Sequence, residues 1–201
     1  MTLIIIIVTT LVSFAAFNKK ELIYKYNFNA YQIYHRKQWY RIISYALLHA
    51  NYMHLIINMI VLYSFGTSLE YYFHYYFREN ANLLFICLYA GGIIISIIYS
   101  LFKNRENYNY NALGASGAVS AVVFASIFFD PLNKVWFFGI LPIPGIIFAL
   151  LYLAYSYYMS KKNVDDIGHD AHFWGAVFGL IFPIILKPEL FQVFINNLFS
   201  F

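Results

Sequence analysis

The sequence predicts an all-α polytopic membrane protein, in which six spans form a single domain over residues 1–201. Of the 201 residues 62% are hydrophobic and only 11% are charged, which is about half the charged share of an average soluble domain. Six apolar runs alternate with polar or aromatic connections, and neither a Pro/Gly/Ser linker nor a long charge run divides them. No internal repeat is visible. Together these features favour one membrane-embedded unit.

The apolar runs define the predicted spans, at about 2–17, 52–71, 82–102, 116–129, 142–159 and 168–186. The first run has the length of a secretory signal. It lacks a basic region before it, however, and five further hydrophobic segments follow. We therefore interpret it as a retained first span.

The connection 18–50 carries six Lys and Arg residues among many tyrosines, a phenylalanine and a tryptophan. Apolar side chains with cationic or polar tips favour the lipid headgroup layer, so this stretch is expected to lie on the membrane. With a net charge of only +4, the pattern is typical of interfacial anchors and not of a nucleic-acid site. Cys87 is the single cysteine, which excludes an internal disulfide and a thiolate metal site; no metal or cofactor is expected.

The fourth run is too short to cross the membrane alone. From Ser116 until Asp130-Pro131 ends it, a helix would measure about 21 Å, against a hydrocarbon layer of about 30 Å. Ser116 is then expected below the membrane surface, and the loop 103–113 must dip to reach it. Irregular backbone at that depth has to be buried in protein or line a water-filled cavity. The sequence thus predicts a serine at a helix N-terminus on the floor of a wet cavity.

Polar side chains collect near one membrane face. The second, fourth and sixth spans run in the same direction, and His54, Asn58, Ser116 and His172 all fall in the first two turns of their spans. His172 is placed to act as a base for the Ser116 hydroxyl. The Ser116 N–H and the side chains of His54 and Asn58 are candidate donors to an oxyanion. The alternative left open by spacing alone is that the glycines and serine mediate packing while the histidines cap or bridge helices.

Small residues mark two helix faces that are expected to meet. In the sixth span, Gly175 and Gly179 follow His172 at spacings of three and seven residues. In the fourth span the corresponding positions, one every four residues, are Gly117, Ala121 and Ala125. Such faces allow two membrane helices to approach closely.

The ordered set of motifs closely resembles the rhomboid family of intramembrane serine proteases. The resemblance covers roughly residues 36–180, and it rests on Gln38-Trp39-Tyr40-Arg41, Leu48-His49-Ala50 through His54 to Asn58, Gly66 to Glu70, Gly114-Ala115-Ser116-Gly117, and Ala171-His172 with Gly175 and Gly179. It implies a rhomboid-like bundle in which residues 18–50 form a membrane-embedded first loop. Ser116 would be the nucleophile and His172 the general base, without a carboxylate. His54 and Asn58, with Gly114, would surround the oxyanion.

The resemblance implies a peptidase that cleaves transmembrane protein substrates in the lipid bilayer, without a cofactor. An inactive relative that binds and escorts membrane proteins is the alternative, and it predicts a missing serine or histidine, whereas both are present. A transporter or channel would need charged residues deep in the spans. Apart from Asp170 near one end, the sequence offers none.

Two positions depart from a simple match. Many family members place an aromatic residue one turn after the serine, against the histidine ring, whereas this chain has Ser120. Phe173 and Trp174 are then candidates to support His172. Asp170 lies two residues before His172 and therefore on a different helix face, so we interpret it as a capping or loop-facing residue and not as a third catalytic member.

Two arguments disagree about the orientation of the chain in the membrane. In the rhomboid family the catalytic cavity opens away from the cytoplasm, which here implies a cell-membrane protein with ten of its 13 Lys and Arg residues on the outer side. Only Arg78, Lys134 and Lys187 would then lie inside, which inverts the usual excess of basic residues in cytoplasmic loops. Because the first loop is aromatic-rich and expected to be folded into the interface, we predict the family orientation.

Overall fold

The computed structural model of the chain describes residues 1–137, 139–162 and 168–199. The chain is predominantly helical within these ranges. The helices are α1 (Thr2–Asn18), α2 (Lys20–Tyr26), α3 (Ala30–Arg36), α4 (Arg41–Ser44), α5 (Tyr52–Phe77), α6 (Ala81–Lys103), α7 (Ser116–Phe129), α8 (Gly145–Lys162), α9 (His169–Leu186) and α10 (Leu190–Phe199). Strands β1 (Lys134–Phe137) and β2 (Leu141–Pro144) pair antiparallel in a hairpin, with Lys134 opposite Pro144.

Two segments of the described chain have the length and apolar character needed to cross a membrane, namely Tyr52–Lys103 and His169–Leu186. A third joins them if α1 and α2, which meet at a bend of 119°, are counted as one span. Helices α7 and α10 are apolar but shorter. The predicted helical architecture, with apolar helices long enough to cross a membrane, is therefore confirmed, while the count of six spans stays a prediction.

The long segment Tyr52–Lys103 folds back on itself. Arg78 adopts φ 49° and ψ −116° at the end of α5, and a short 3₁₀ turn over Arg78–Asn80 leads into α6. The rings of Phe73 and Phe85, on either side of this turn, pack edge to face with their centroids 6.4 Å apart. Helices α5 and α6 therefore form an antiparallel pair.

Helices α5, α7 and α9 run in the same direction, as the sequence predicts. Near their ends, the rings of Tyr72 on α5 and Phe129 on α7 stack at 5.3 Å. Near their starts, His54 on α5 lies against Gly114, which directly precedes α7. Gly175 and Gly179 of α9 lie against Gly117 and Ala121 in turn, so all three helices have their first turns at the same end of the bundle.

The first loop folds as three short helices and a 3₁₀ turn over Tyr45–Leu47. Tyr24, Trp39 and Tyr40 remain exposed on it, as expected for side chains in the headgroup layer. Arg41 differs from that expectation because it is buried. Its guanidinium donates to the Asn27 carbonyl oxygen at 2.8 Å and to Asn27 Oδ1 at 2.7 Å, so this cation stabilises the loop from within.

Several boundaries differ from the predicted ones. Helix α5 continues to Phe77, so Glu70 lies within the helix and not at its end. Its carboxylate accepts hydrogen bonds from the Met1 amino group and from the Thr2 N–H. The connection between the predicted fourth and fifth spans contains β1. Pro142 and Pro144, at the start of the predicted fifth span, belong to β2, so that α8 begins only at Gly145. Proline tolerates an extended conformation at a sheet edge better than a helix interior. The connection 163–167 lies outside the described residues.

Helix α7 is the centre of the bundle. Every residue from Gly117 to Phe129 is buried, whereas Ser116 is partly exposed. Helix α9 touches this helix through its backbone, because a methyl group added at Gly175 would lie 2.1 Å from the Gly117 carbonyl oxygen. At Gly179 the same addition would lie 2.1 Å from the Ala121 carbonyl oxygen. The small-residue faces predicted from the sequence thus meet at two successive levels.

This contact predicts that a single added methyl group lowers the free energy of unfolding substantially. Gly179→Ala is expected to destabilise the protein by at least the ~1–3 kcal/mol typical of overpacking, because rigid backbone faces the added atom. Gly168→Ala is the matched control, since a methyl group there would meet its nearest neighbour, Ala171 Cβ, at 3.7 Å. Thermal unfolding in detergent measures both variants. Equal unfolding temperatures for the two would contradict the close approach of α7 and α9.

Candidate active site

Ser116 is the first residue of α7, and its side chain is partly exposed at the edge of a buried helix. The preceding N-cap residue is Ala115, whose side chain has no atom that can accept a hydrogen bond. The first N–H groups of an α-helix have no acceptor within the helix and lie at the positive end of its dipole. Position 116 therefore combines a hydroxyl group with backbone donors suited to a negative charge.

His172 lies on α9, one turn before Gly175, whose backbone touches Gly117. A methyl group added at Gly117 would also lie 3.3 Å from the carbonyl oxygen of Ala171. Ser116 and His172 are thus adjacent in sequence to residues that are in direct backbone contact. The two residues predicted as nucleophile and base consequently occupy neighbouring turns of α7 and α9.

His54 lies against the chain just before the serine. A methyl group added at Gly114 would lie 2.6 Å from His54 Cε1 and 3.0 Å from Nε2, and Gly114 has φ +123°. This left-handed region favours glycine. Any side chain at position 114 would therefore be strained and would displace the imidazole.

Asn58 is buried one turn after His54 on α5. Its Nδ2 donates to the His54 carbonyl oxygen at 2.8 Å, and the Asn51 side chain accepts from the His54 N–H at 2.8 Å. One of the two amide protons of Asn58 is thus engaged within its own helix. Asn51 before His54 and Asn58 after it thus both bond the His54 backbone and fix the start of α5 beside the Gly114–Gly117 segment.

A comparison with known protein families shows to which family the chain belongs. The model of the Rhomboid domain family matches residues 36–189, which is well over half of the chain. The chain belongs to the rhomboid family.

Curated relatives in the rhomboid family are distant but cover most of this chain. RHOMBOID-like protein 12, mitochondrial, of Arabidopsis thaliana is 26% identical over 151 residues, or 70% of this chain and 44% of that protein. Rhomboid protease GluP of Bacillus subtilis is 28% identical over 142 residues, or 70% of this chain and 25% of that protein. Rhomboid protein 1, mitochondrial, of Saccharomyces cerevisiae is 29% identical over 150 residues, with 70% and 40% covered. The chain therefore spans less than half the length of these relatives.

His49 is a further residue of the rhomboid site, for which the sequence suggested no role. Its Nε2 accepts from the Ala115 N–H at 3.4 Å, and its Nδ1 lies 3.0 Å from the Ser13 hydroxyl. That hydroxyl donates to the Leu47 carbonyl oxygen at 2.8 Å, which leaves it to accept from Nδ1–H. Burial, with a smaller contribution from nearby His54, lowers the pKa of His49 to about 3. The ring is therefore neutral and fixes the residue before Ser116.

Two observations could have pointed to this role for His49. It lies five residues before His54 in one of the motifs that carry the resemblance, and Ser13 is one of the few polar residues in the first apolar run. The contact between Ser13 and His49 could not be predicted from the sequence, because the two residues lie 36 positions apart.

Asp170 forms an ion pair with a residue of another helix. Its carboxylate oxygen lies 3.2 Å from Lys103 Nζ at the end of α6, and an acidic residue in the first turn of α9 also stabilises the helix dipole. The ion pair supports the expectation that Asp170 is not a third catalytic member, while its place in the first turn of α9, after the N-cap residue Gly168, differs from the expected capping position. Within the described ranges, no three His, Cys, Asp or Glu side chains are grouped so that they could hold a metal ion.

Proposed function

We propose that this rhomboid protein is an intramembrane serine endopeptidase that cleaves peptide bonds in or beside transmembrane segments of other membrane proteins. The observation that carries the proposal is the backbone contact between Gly117 and Gly175, which puts Ser116 and His172 on neighbouring turns. The name of the related rhomboid protease GluP adds support from the family.

In the proposed reaction, His172 takes the proton of the Ser116 hydroxyl while Oγ attacks the substrate carbonyl carbon. The carbonyl oxygen then carries the negative charge, and it is stabilised by the Ser116 N–H with His54 and Asn58. The peptide C–N bond breaks as protonated His172 gives its proton to the leaving amine. Water then attacks the acyl carbon with His172 as base, and the ester C–O bond to Ser116 breaks as His172 returns the proton to Oγ, which releases the second product.

The substrate has to unwind locally before this attack. In a transmembrane helix each carbonyl group is hydrogen-bonded and shielded by neighbouring side chains. Residues of low helix propensity near the cleaved bond reduce the cost of unwinding, which is about 1 kcal/mol lower for glycine than for alanine. We therefore infer a preference for small or helix-breaking residues around the cleavage site.

The membrane arrangement proposed here has six spans, formed by α1, α5, α6, α7, α8 and α9, in a single domain. Helix α7 is too short to span alone, and its burial on all sides supports a position inside the bundle. The lipid bilayer surrounds the outer helices, and no metal, cofactor or nucleic acid takes part.

The second candidate function is binding and escort of membrane proteins without cleavage. It requires the same fold, and loss of Ser116 or His172 separates the two functions. Ser116→Ala and His172→Ala are each expected to abolish cleavage of a transmembrane reporter, because a nucleophile and its base act as a unit. Ser126→Ala, at a buried serine of the same helix, is the matched control and should retain activity. Cleavage by a folded Ser116→Ala protein at the rate of the unsubstituted protein would contradict the proposal.

Replacement of an oxyanion donor should affect the chemical step more than substrate binding. His54→Ala and Asn58→Ala are each expected to lower kcat by about 10- to 1,000-fold with a smaller change in KM. Ser68→Ala is the control, because it also removes a local bond within α5, from Ser68 Oγ to the Ser64 carbonyl oxygen at 3.1 Å, but far from Ser116. A lower unfolding temperature with unchanged kcat would assign both residues a structural role instead.

The proposed location is the cell membrane, with the cavity open on the side away from the cytoplasm. Single cysteines at Lys20 and Asn107, both exposed at the Ser116 end of the bundle, should react with an impermeant maleimide added to intact cells. A cysteine at Asn133, beyond the opposite end of α7, should not react. The background is Cys87→Ser, because the native cysteine is exposed. The reverse labelling pattern would place the active site on the cytoplasmic side.

A further inference from the structure

Ser120 lies one turn after Ser116, at the position where many rhomboid proteins have an aromatic residue. The side chain is buried, with 5% of its surface exposed. Its hydroxyl oxygen lies 2.7 Å from the hydroxyl oxygen of Tyr152 on α8. The short polar side chain therefore reaches across to an aromatic residue on another helix.

The Tyr152 ring lies beside the proposed base. Its plane is inclined by 26° to the His172 ring, with the two centroids 6.3 Å apart, inside the range typical of stacked aromatic pairs. Phe124 of α7 and Phe148 of α8 pack against the same tyrosine at 5.4 Å and 5.7 Å. Two rings and one hydroxyl group thus fix Tyr152 where it meets His172.

The residues expected to support His172 from its own helix have other contacts. Phe173 packs against Tyr157 at 5.8 Å, and Trp174 lies 6.5 Å from Tyr99. His169 is a second ring neighbour of His172, at 6.1 Å and nearly perpendicular. The near-parallel ring comes from α8, a helix that the sequence did not connect with the site.

We propose that Tyr152, anchored by Ser120, is the positioning residue that holds the His172 imidazole toward Ser116. The inference rests on the proposed function, in which His172 is the base. It assigns to a pair of residues on α7 and α8 the task that a single aromatic residue on the serine helix performs in many relatives. The anchor also links α8 to the two helices that carry the dyad.

Loss of a positioning contact should slow the reaction at Ser116 and leave substrate binding largely intact. Tyr152→Leu is expected to lower kcat, and the rate of Ser116 labelling by a fluorophosphonate, by about 10- to 100-fold with KM nearly unchanged. Tyr152→Phe keeps the ring and should restore most of the labelling rate. Ser120→Ala removes the same hydroxyl contact as Tyr152→Phe. The double variant Ser120→Ala/Tyr152→Phe should therefore be labelled no more slowly than the slower of these two single variants.

The experiment pairs labelling with a readout that needs no catalysis. Histidine ring signals are recorded by NMR in detergent micelles, and His172 is assigned by the signal lost in His172→Gln. Tyr152→Leu should shift the His172 signal and Tyr152→Phe should largely preserve it. The controls are Tyr158→Leu, an exposed tyrosine of α8, and Ser126→Ala, a buried serine of α7; both should leave the signal and the labelling rate unchanged.

An unchanged His172 signal in a folded Tyr152→Leu protein would overturn the inference. So would additive effects of Ser120→Ala and Tyr152→Phe on the labelling rate, because two independent losses would mean that the hydroxyl groups do not act through one contact. If the unsubstituted protein is not labelled at Ser116, the proposed function fails instead. The NMR comparison then decides the positioning role by itself.

Discussion

The backbone contact between α7 and α9 is the constraint on which the site depends. At Gly175 and Gly179 a single added methyl group would collide with carbonyl oxygens of α7. The two backbones can approach this closely only because neither glycine carries a side chain. Interfaces of small residues are common between membrane helices, because in apolar lipid the hydrophobic effect contributes little to helix association and close packing has to supply the attraction. Here the same packing sets Ser116 and His172 on neighbouring turns.

The segment that enters α7 has to satisfy its polar backbone away from bulk water. The Gly114 N–H donates to the Tyr45 carbonyl oxygen at 3.1 Å, and the Ala115 N–H donates to His49. Both partners belong to the first loop. The folded loop therefore fixes the approach to Ser116, which is the first residue of α7 and begins the turn whose N–H groups have no acceptor within the helix. Stability of the entry segment and preorganisation of the proposed oxyanion site thus have the same physical origin.

Sequence patterns predicted most of the bundle, because long apolar runs and small-residue spacing are local signals. The limits of α7, the common direction of α5, α7 and α9, and the contact at Gly175 and Gly179 all agree with the structure. The hairpin formed by β1 and β2 was missed, since its short strands carry two prolines and resemble a loop. The contacts of His49 with Ser13 and of Ser120 with Tyr152 join distant positions, and no periodicity within one helix reveals such pairs.

The most direct test of the account is the site at which a serine-directed fluorophosphonate reacts with the native protein. Peptide mapping by mass spectrometry should find the adduct on Ser116, absent after unfolding and absent in the His172→Ala protein, because the hydroxyl needs its base to become nucleophilic. An adduct on another serine, or equal modification of Ser116 in a folded His172→Ala protein, would contradict the dyad that this packing is proposed to create.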